Sequence, residues 1–191
     1  MTSAHVEPSA VPAAHRQAKY QVRLDWASGG ASAIVADADV VVWVDALADE
    51  GPGLALELVP GTAAVVAAGL TDAPAVARWI LDEQVRLGRR AMVALVAAGA
   101  TAADGGTRFA VEDLLAAGAV VDALAGVGID YSSPEAAAAC AAFTGLRGAV
   151  AHLLTASVSG QERIAAGADP AELARSGRLD TVSEVRILRA P

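Results

Sequence analysis

Cysteine is almost missing from this chain. Cys140 stands alone in an alanine run, which excludes an intrachain disulfide framework and a thiolate metal site and fits a reducing, cytoplasmic setting. Positive charge is also scarce. Against 22 Asp and Glu there are 14 Lys and Arg, a net charge of -8, so no basic field draws a phosphate backbone or an anionic membrane surface. Nucleic acid and membrane therefore drop out as expected partners. Apolar runs such as Ala91–Ala100 extend for about ten residues, well under the roughly 20 that span a bilayer. The opening stretch Met1–Arg16, with His5, Glu7, Pro8 and Pro12, has no apolar segment of the kind a signal peptide needs and reads as a mobile tail over residues 1–18. Also missing are GxSxG, GxxxxGK[ST], HExxH and a GxGxxG after a strand, so serine-hydrolase, nucleotide-loop and zincin chemistry find no support.

What is present is apolar residue in quantity. At 191 residues and 54% hydrophobic content the chain can bury one well-covered core, and a single domain over residues 19–191 is the expectation. Val22, Leu24 and Trp26 alternate with polar residues, the period of a strand with one wet face. Gly29-Gly30 leads into a helix-compatible stretch at Ala31–Ala38. Val40–Val44 is a continuous β-branched and aromatic run ending at Asp45, the pattern of a strand covered on both faces. Leu54–Val59 has the composition of a short strand and Ala63–Leu70 that of another buried one. Asp72 before Pro74 reads as a helix start, Val76, Ile80, Leu81 and Val85 share one helical face, and Gly88 is the stop. Ala91–Ala97 supplies a further buried strand, followed by a polar loop at Gly99–Gly106. Strand, helix and strand in that order predict parallel pairing.

The last third reads as helical, with start signals at Ser133-Pro134-Glu135, at Ser159 with Glu162 in capping-box spacing, and at Asp169-Pro170. Val185–Leu188 is placed as a closing edge strand. The expected fold is α/β, layered, with a largely parallel or mixed central sheet flanked by helices.

Sites in such sheets lie beyond the carboxyl ends of the strands, which singles out Asp45. Its oxygens suit a hard cation or a phosphorylated ligand, and equally the capping of the next turn. Glu112 and Asp113 fall in the first turns of a helix carrying Val111, Leu114, Leu115 and Val120. There they could hold Mg²⁺ or move a proton, or simply complement the helix dipole at about 0.3–1 kcal/mol each. Arg108 is suited to bidentate pairing with a phosphate or sulfonate. His5 and His15 fall in the tail, and His152 reads as a half-buried structural histidine.

The stretch Gly105–Val121, with Arg108, Glu112-Asp113 and Ala117-Gly118, resembles a segment of the 2-phosphosulfolactate phosphatase (ComB) family. Val22–Trp26 with Gly29-Gly30, Asp39–Leu47, Ser133-Pro134-Glu135, Ala142-Phe143, Ser159-Gly160 and Leu179-Asp180 follow in that family's order. The resemblance implies a ComB-like α/β fold and Mg²⁺-dependent hydrolysis of a phosphate monoester to sulfolactate and phosphate. It further implies Asp45 and Glu112 as catalytic residues, Asp45, Glu112 and Asp113 as metal ligands, and Arg108, Ser159 and Gly160 in contact with a small phosphorylated or sulfonated anion. The chain departs from the family pattern at Ala46–Gly51, at Val59–Thr62 and at Gly99–Ala102, where polar family residues are replaced. A second reading therefore stands beside the first: a homologue without turnover, retained as a small-anion binding or protein-interaction module. The composition leaves monomer and homodimer both open.

Overall fold

The computed structural model describes residues 11–48 and 56–191. In chain order the elements are β1 (Val22–Trp26), α1 (Ala27–Ile34), β2 (Val40–Val44), β3 (Ala64–Ala68), α2 (Ala73–Leu87) and β4 (Val93–Ala97). They are followed by β5 (Ala100–Thr101), β6 (Thr107–Arg108), α3 (Val111–Gly126), α4 (Pro134–Leu146), α5 (Val150–Ala156), α6 (Val158–Ala165), α7 (Pro170–Ser176) and β7 (Arg186–Arg189). Among the described residues five strands form one sheet in the order β1-β4-β2-β3-β7, with β7 antiparallel to β3 and the remaining neighbours parallel. This is the expected α/β architecture, with β7 as the edge strand read from the sequence.

Both faces of the sheet are covered, which is why its strands are continuously apolar. Val40, Val42 and Val44 of β2 pack toward α2, α3 and α4. Val41 and Trp43 point the other way, into a smaller core closed by α1. The helix α3 is apolar around nearly its whole circumference because α4 crosses it closely: a Cβ on Gly118 would lie 2.1 Å from the Ala139 carbonyl oxygen.

Several expectations are corrected. The outward face of β1 is not wet: Arg23 is 1% exposed. Its guanidinium donates to the Tyr20 and Ile34 carbonyls and to the Asp37 carboxylate, so three acceptors replace water. The hydrogen bond from Arg23 holds the Asp37 carboxyl below the usual range. α1 begins at Ala27 rather than at Ala31, taking Gly29 and Gly30 into the helix. Leu56–Leu58 is a 3-10 turn, not part of the strand that the composition of Leu54–Val59 predicts, and Leu54 and Ala55 lie outside the described residues. Val85 is 72% exposed because the core-facing stripe of α2 ends at Ile80. His152 is exposed, since α5 turns Val150 and Leu154 inward. The capping residue of α6 is Ser157, whose Oγ accepts from the Gly160 amide at 3.0 Å, and Ser159 sits inside the helix.

Of the tail read over residues 1–18, residues 1–10, including His5, lie outside the described residues. Ala13–Arg16 form a 3-10 turn. The Gln17 side chain then pairs with Leu24 of the β1 edge, donating to its carbonyl at 2.8 Å and accepting from its amide at 3.2 Å. By length and composition the stretch Pro134–Ala165 is apolar enough to cross a bilayer. Here Ala136, Ala139, Phe143, Val150 and Leu154 from it are core residues, and the run bends at Ser157.

Candidate functional site

The strand register sets the site. Val44 is level with Ala68 on one side and Ala97 on the other, so β2, β3 and β4 end flush and Asp45 stands at the centre of the sheet's carboxyl edge. Beyond β4 the chain turns at Gly99, with φ 68°. A Cβ there would lie 2.8 Å from Thr107 Cγ2 and 3.0 Å from the Arg108 carbonyl oxygen, so the β5–β6 hairpin closes only over glycine. That hairpin delivers the chain to the start of α3, where Glu112 and Asp113 are both 3% exposed.

Asp113 joins the three pieces. One oxygen accepts from the Ala46 amide and the other from the Gly99 amide, each at 2.9 Å, tying the segments after β2 and β4 to the first turn of α3. Burial pushes its carboxyl up to about 7, the charges of Asp45 and Glu112 add to the rise, and the two amide hydrogen bonds oppose it. Asp45 is half-buried, and one of its oxygens accepts from the Leu47 amide at 3.2 Å. The turn-capping role considered for it is thus realised, alongside its place on the edge.

A cleft of about 430 Å³ opens between this floor and α6, and Asp45, Glu112, Asp113, Ser159, Glu162 and Arg163 line it. Arg108 belongs to β6, before α3 rather than inside it. Its guanidinium reaches Ser159 Oγ at 3.4 Å and stands 3.9 Å from the Glu162 carboxylate, at the rim of the cleft. The structure therefore brings Asp45, Arg108, Glu112, Asp113 and Ser159 to one place. Gly160 has a different task. Its amide is taken by Ser157, and a Cβ on it would lie 1.9 Å from the Leu154 carbonyl oxygen, so it allows α5 and α6 to meet.

The sequence pattern marks Glu162 only as part of a helix start and does not single out Arg163. The signal was present: Ser159, Glu162 and Arg163 are spaced i, i+3, i+4, which is one helical face. What that face looks upon, a strand end more than a hundred residues earlier, is invisible in the local pattern.

The Mg²⁺ implied by the resemblance does not fit the carboxylates as they stand. Among the described residues no group of three or more His, Cys, Asp or Glu side chains is disposed to hold a metal ion. Asp113 has committed each oxygen to a backbone amide, whereas octahedral Mg²⁺ requires ligand oxygens at roughly 2.0–2.1 Å. The arrangement instead offers hydrogen-bond acceptors on the floor, guanidinium groups at the wall and rim, and a hydroxyl between them.

No family model matches the chain, and no curated protein matches it significantly.

Proposed function

We propose that the cleft receives a small phosphorylated or sulfonated anion and that the chain is a hydrolase of phosphate monoesters of the 2-phosphosulfolactate type. The observation that carries this reading is the convergence of Asp45, Glu112, Asp113 and Ser159 on one cleft at the carboxyl edge of a parallel sheet, with Arg108 touching Ser159. These residues come from four separate segments, and crevices at such an edge are where α/β sheets bind ligands.

The charges have to be balanced for an anion to enter. Two guanidinium groups, Arg108 and Arg163, face four carboxyls, Asp45, Glu112, Asp113 and Glu162. With its pKa near 7, Asp113 is about half protonated at neutral pH, which lowers the negative charge of the floor. Arg108 and Arg163 would meet the phosphoryl oxygens, Ser159 would donate to one of them, and Glu112 would take the proton of the attacking water as the ester P–O bond breaks, the leaving oxygen taking a proton from solvent to depart as the alcohol.

A binding module without turnover is the second reading. It is favoured by the commitment of Asp113 to two amides and by the lack of a three-ligand metal group among the described residues. One experiment separates the two. Phosphate release from 2-phosphosulfolactate and from an aryl phosphate is measured with and without Mg²⁺, for the wild type, Asp45→Ala and Glu112→Gln, next to calorimetric binding of inorganic phosphate. Release that is lost in both variants supports the hydrolase. Phosphate binding without release leaves the module, and neither binding nor release removes both readings.

A further inference from the structure

Glu112 and Asp113 are neighbours in the first turn of α3 and both are 3% exposed, yet the fold uses them in opposite ways. Asp113 gives each oxygen to a backbone amide. Glu112, among the described residues, accepts no hydrogen bond and forms no ion pair. The charge it meets is of its own sign, since it adds to the rise of the Asp113 carboxyl. Nor is it sealed inside the protein. Among the described residues the one fully enclosed side-chain nitrogen or oxygen without a partner is Trp43 Nε1, so the unpartnered oxygens of Glu112 stay open to the cleft that it lines. A carboxylate taken out of water and given no donor is costly to hold. Where the protein supplies no donor, a ligand can.

The surroundings decide which donor fits. Glu112 shares the floor with Asp45 and Asp113, and the two oxygens of Asp113 are spent. The field there is negative, so it repels a second anion and draws a group that combines positive charge with N–H donors. An ammonium meets both needs, with one charge and three donors. The rim has the opposite character. There the Arg108 guanidinium lies 3.4 Å from Ser159 Oγ and 3.9 Å from the Glu162 carboxylate, which an entering anion would displace. With an open carboxyl below and a guanidinium above, the cleft is polar along its depth, and a simple anion leaves its lower half unmatched.

We propose that the ligand is a zwitterion, the phosphate monoester of a short amino alcohol, whose ammonium group is held by Glu112 on the floor while its phosphoryl group lies against Arg108 and Ser159 at the rim. The proposal rests on the second reading of the cleft, anion binding without turnover, in which Glu112 has no water to activate. It deepens that reading by giving the ligand a cationic end.

The test uses the full chain and three probes in calorimetric titrations without added metal: phosphoethanolamine, with both ends, ethyl phosphate, with the anion only, and ethanolamine, with the ammonium only. Glu112→Gln keeps the shape and removes the charge, Glu112→Asp keeps the charge on a shorter arm, and circular dichroism confirms that each is folded. The wild type is expected to bind phosphoethanolamine about ten- to a hundredfold more tightly than ethyl phosphate, the worth of a charge-assisted hydrogen bond. Glu112→Gln should abolish that difference without weakening ethyl phosphate, and Glu112→Asp should restore part of it. Equal affinity of the wild type for the two phosphates, or equal weakening of both in Glu112→Gln, overturns the ammonium site and leaves the anion-binding cleft in place. Glu112-dependent binding of ethanolamine with no binding of ethyl phosphate supports the ammonium site and rejects the anion-binding reading. Failure of the wild type to bind any of the three rejects both. Release of phosphate from phosphoethanolamine by the wild type removes the module and this assignment of Glu112 with it. Mg²⁺ that tightens ethyl phosphate in the wild type but not in Glu112→Gln overturns the proposal by giving the carboxyl to a metal.

Discussion

Replacing Asp113 with alanine should destabilise the protein strongly in mild acid and far less in base. Two effects of opposite sign meet at this carboxyl. Its removal leaves the Ala46 and Gly99 amides without their acceptors, at about 1–3 kcal/mol for each buried orphan, or roughly 2–6 kcal/mol together. Against this stands the cost of holding a buried charge. The folded-state pKa of about 7 lies above the ordinary carboxyl value of 3.8, so folding takes up a proton between those values. The wild type therefore loses stability as pH rises from about 4 to about 7 and is level above that. At 1.36 kcal/mol per unit, the interval from pH 5 to pH 7 is worth about 2–3 kcal/mol. The alanine variant lacks this slope, so its deficit relative to wild type should shrink by about 2–3 kcal/mol between pH 5 and pH 8. Urea denaturation of both proteins at pH 5, 6, 7 and 8 measures the difference directly. Parallel stability profiles would refute the assignment of a buried, proton-binding carboxyl to Asp113. A variant as stable as wild type at pH 5 would refute its role in tying β2, β4 and α3 together.

Other substitutions probe the framework and the site. Gly99→Ala combines a left-handed backbone with a 2.8 Å approach to Thr107; a loss of about 1–3 kcal/mol is expected in chemical denaturation. Gly118→Ala forces α3 away from the Ala139 carbonyl, 2.1 Å from the new methyl, and should lower the thermal midpoint further than Gly99→Ala does, because backbone rather than a side chain must yield. Arg23→Met leaves the Tyr20 and Ile34 carbonyls unpaired beneath α1 and should cost about 2–4 kcal/mol by urea titration. Binding of sulfate, whose charge is constant over this range, followed by calorimetry, should weaken as pH rises through about 7, where Asp113 gains its charge on the cleft floor; a flat profile from pH 6 to pH 8 would disconnect that carboxyl from the ligand.

Much of the architecture is legible in the amino-acid sequence. Val40–Val44 is β2 to the residue, because an uninterrupted β-branched run has no other stable use than a strand covered on both faces. The starts of α4 and α7 were legible in Ser133-Pro134 and Asp169-Pro170, where the side chains accept from the Ala136 and Ala171 amides, since capping depends on residues within one turn. Where the reading failed, the cause was distance. Arg23 looks like a solvent-facing strand residue until Asp37 and the Ile34 carbonyl arrive over it. Ser159 has the spacing of a capping residue, but Ser157 is better placed once α5 has set the entry angle of α6.

The sequence by itself determined the α/β class, the strands at the centre of the sheet, the edge position of the last strand and the acidic residues at the carboxyl edge, because each depends on periodicity or on neighbours within a few residues. Only the tertiary structure decided that Ser159, Glu162 and Arg163 look down on Asp45. It also decided that Asp113 spends both oxygens on backbone amides. Those outcomes depend on how helices from the last third of the chain are laid across strand ends from the first, a packing of surfaces that no local pattern encodes.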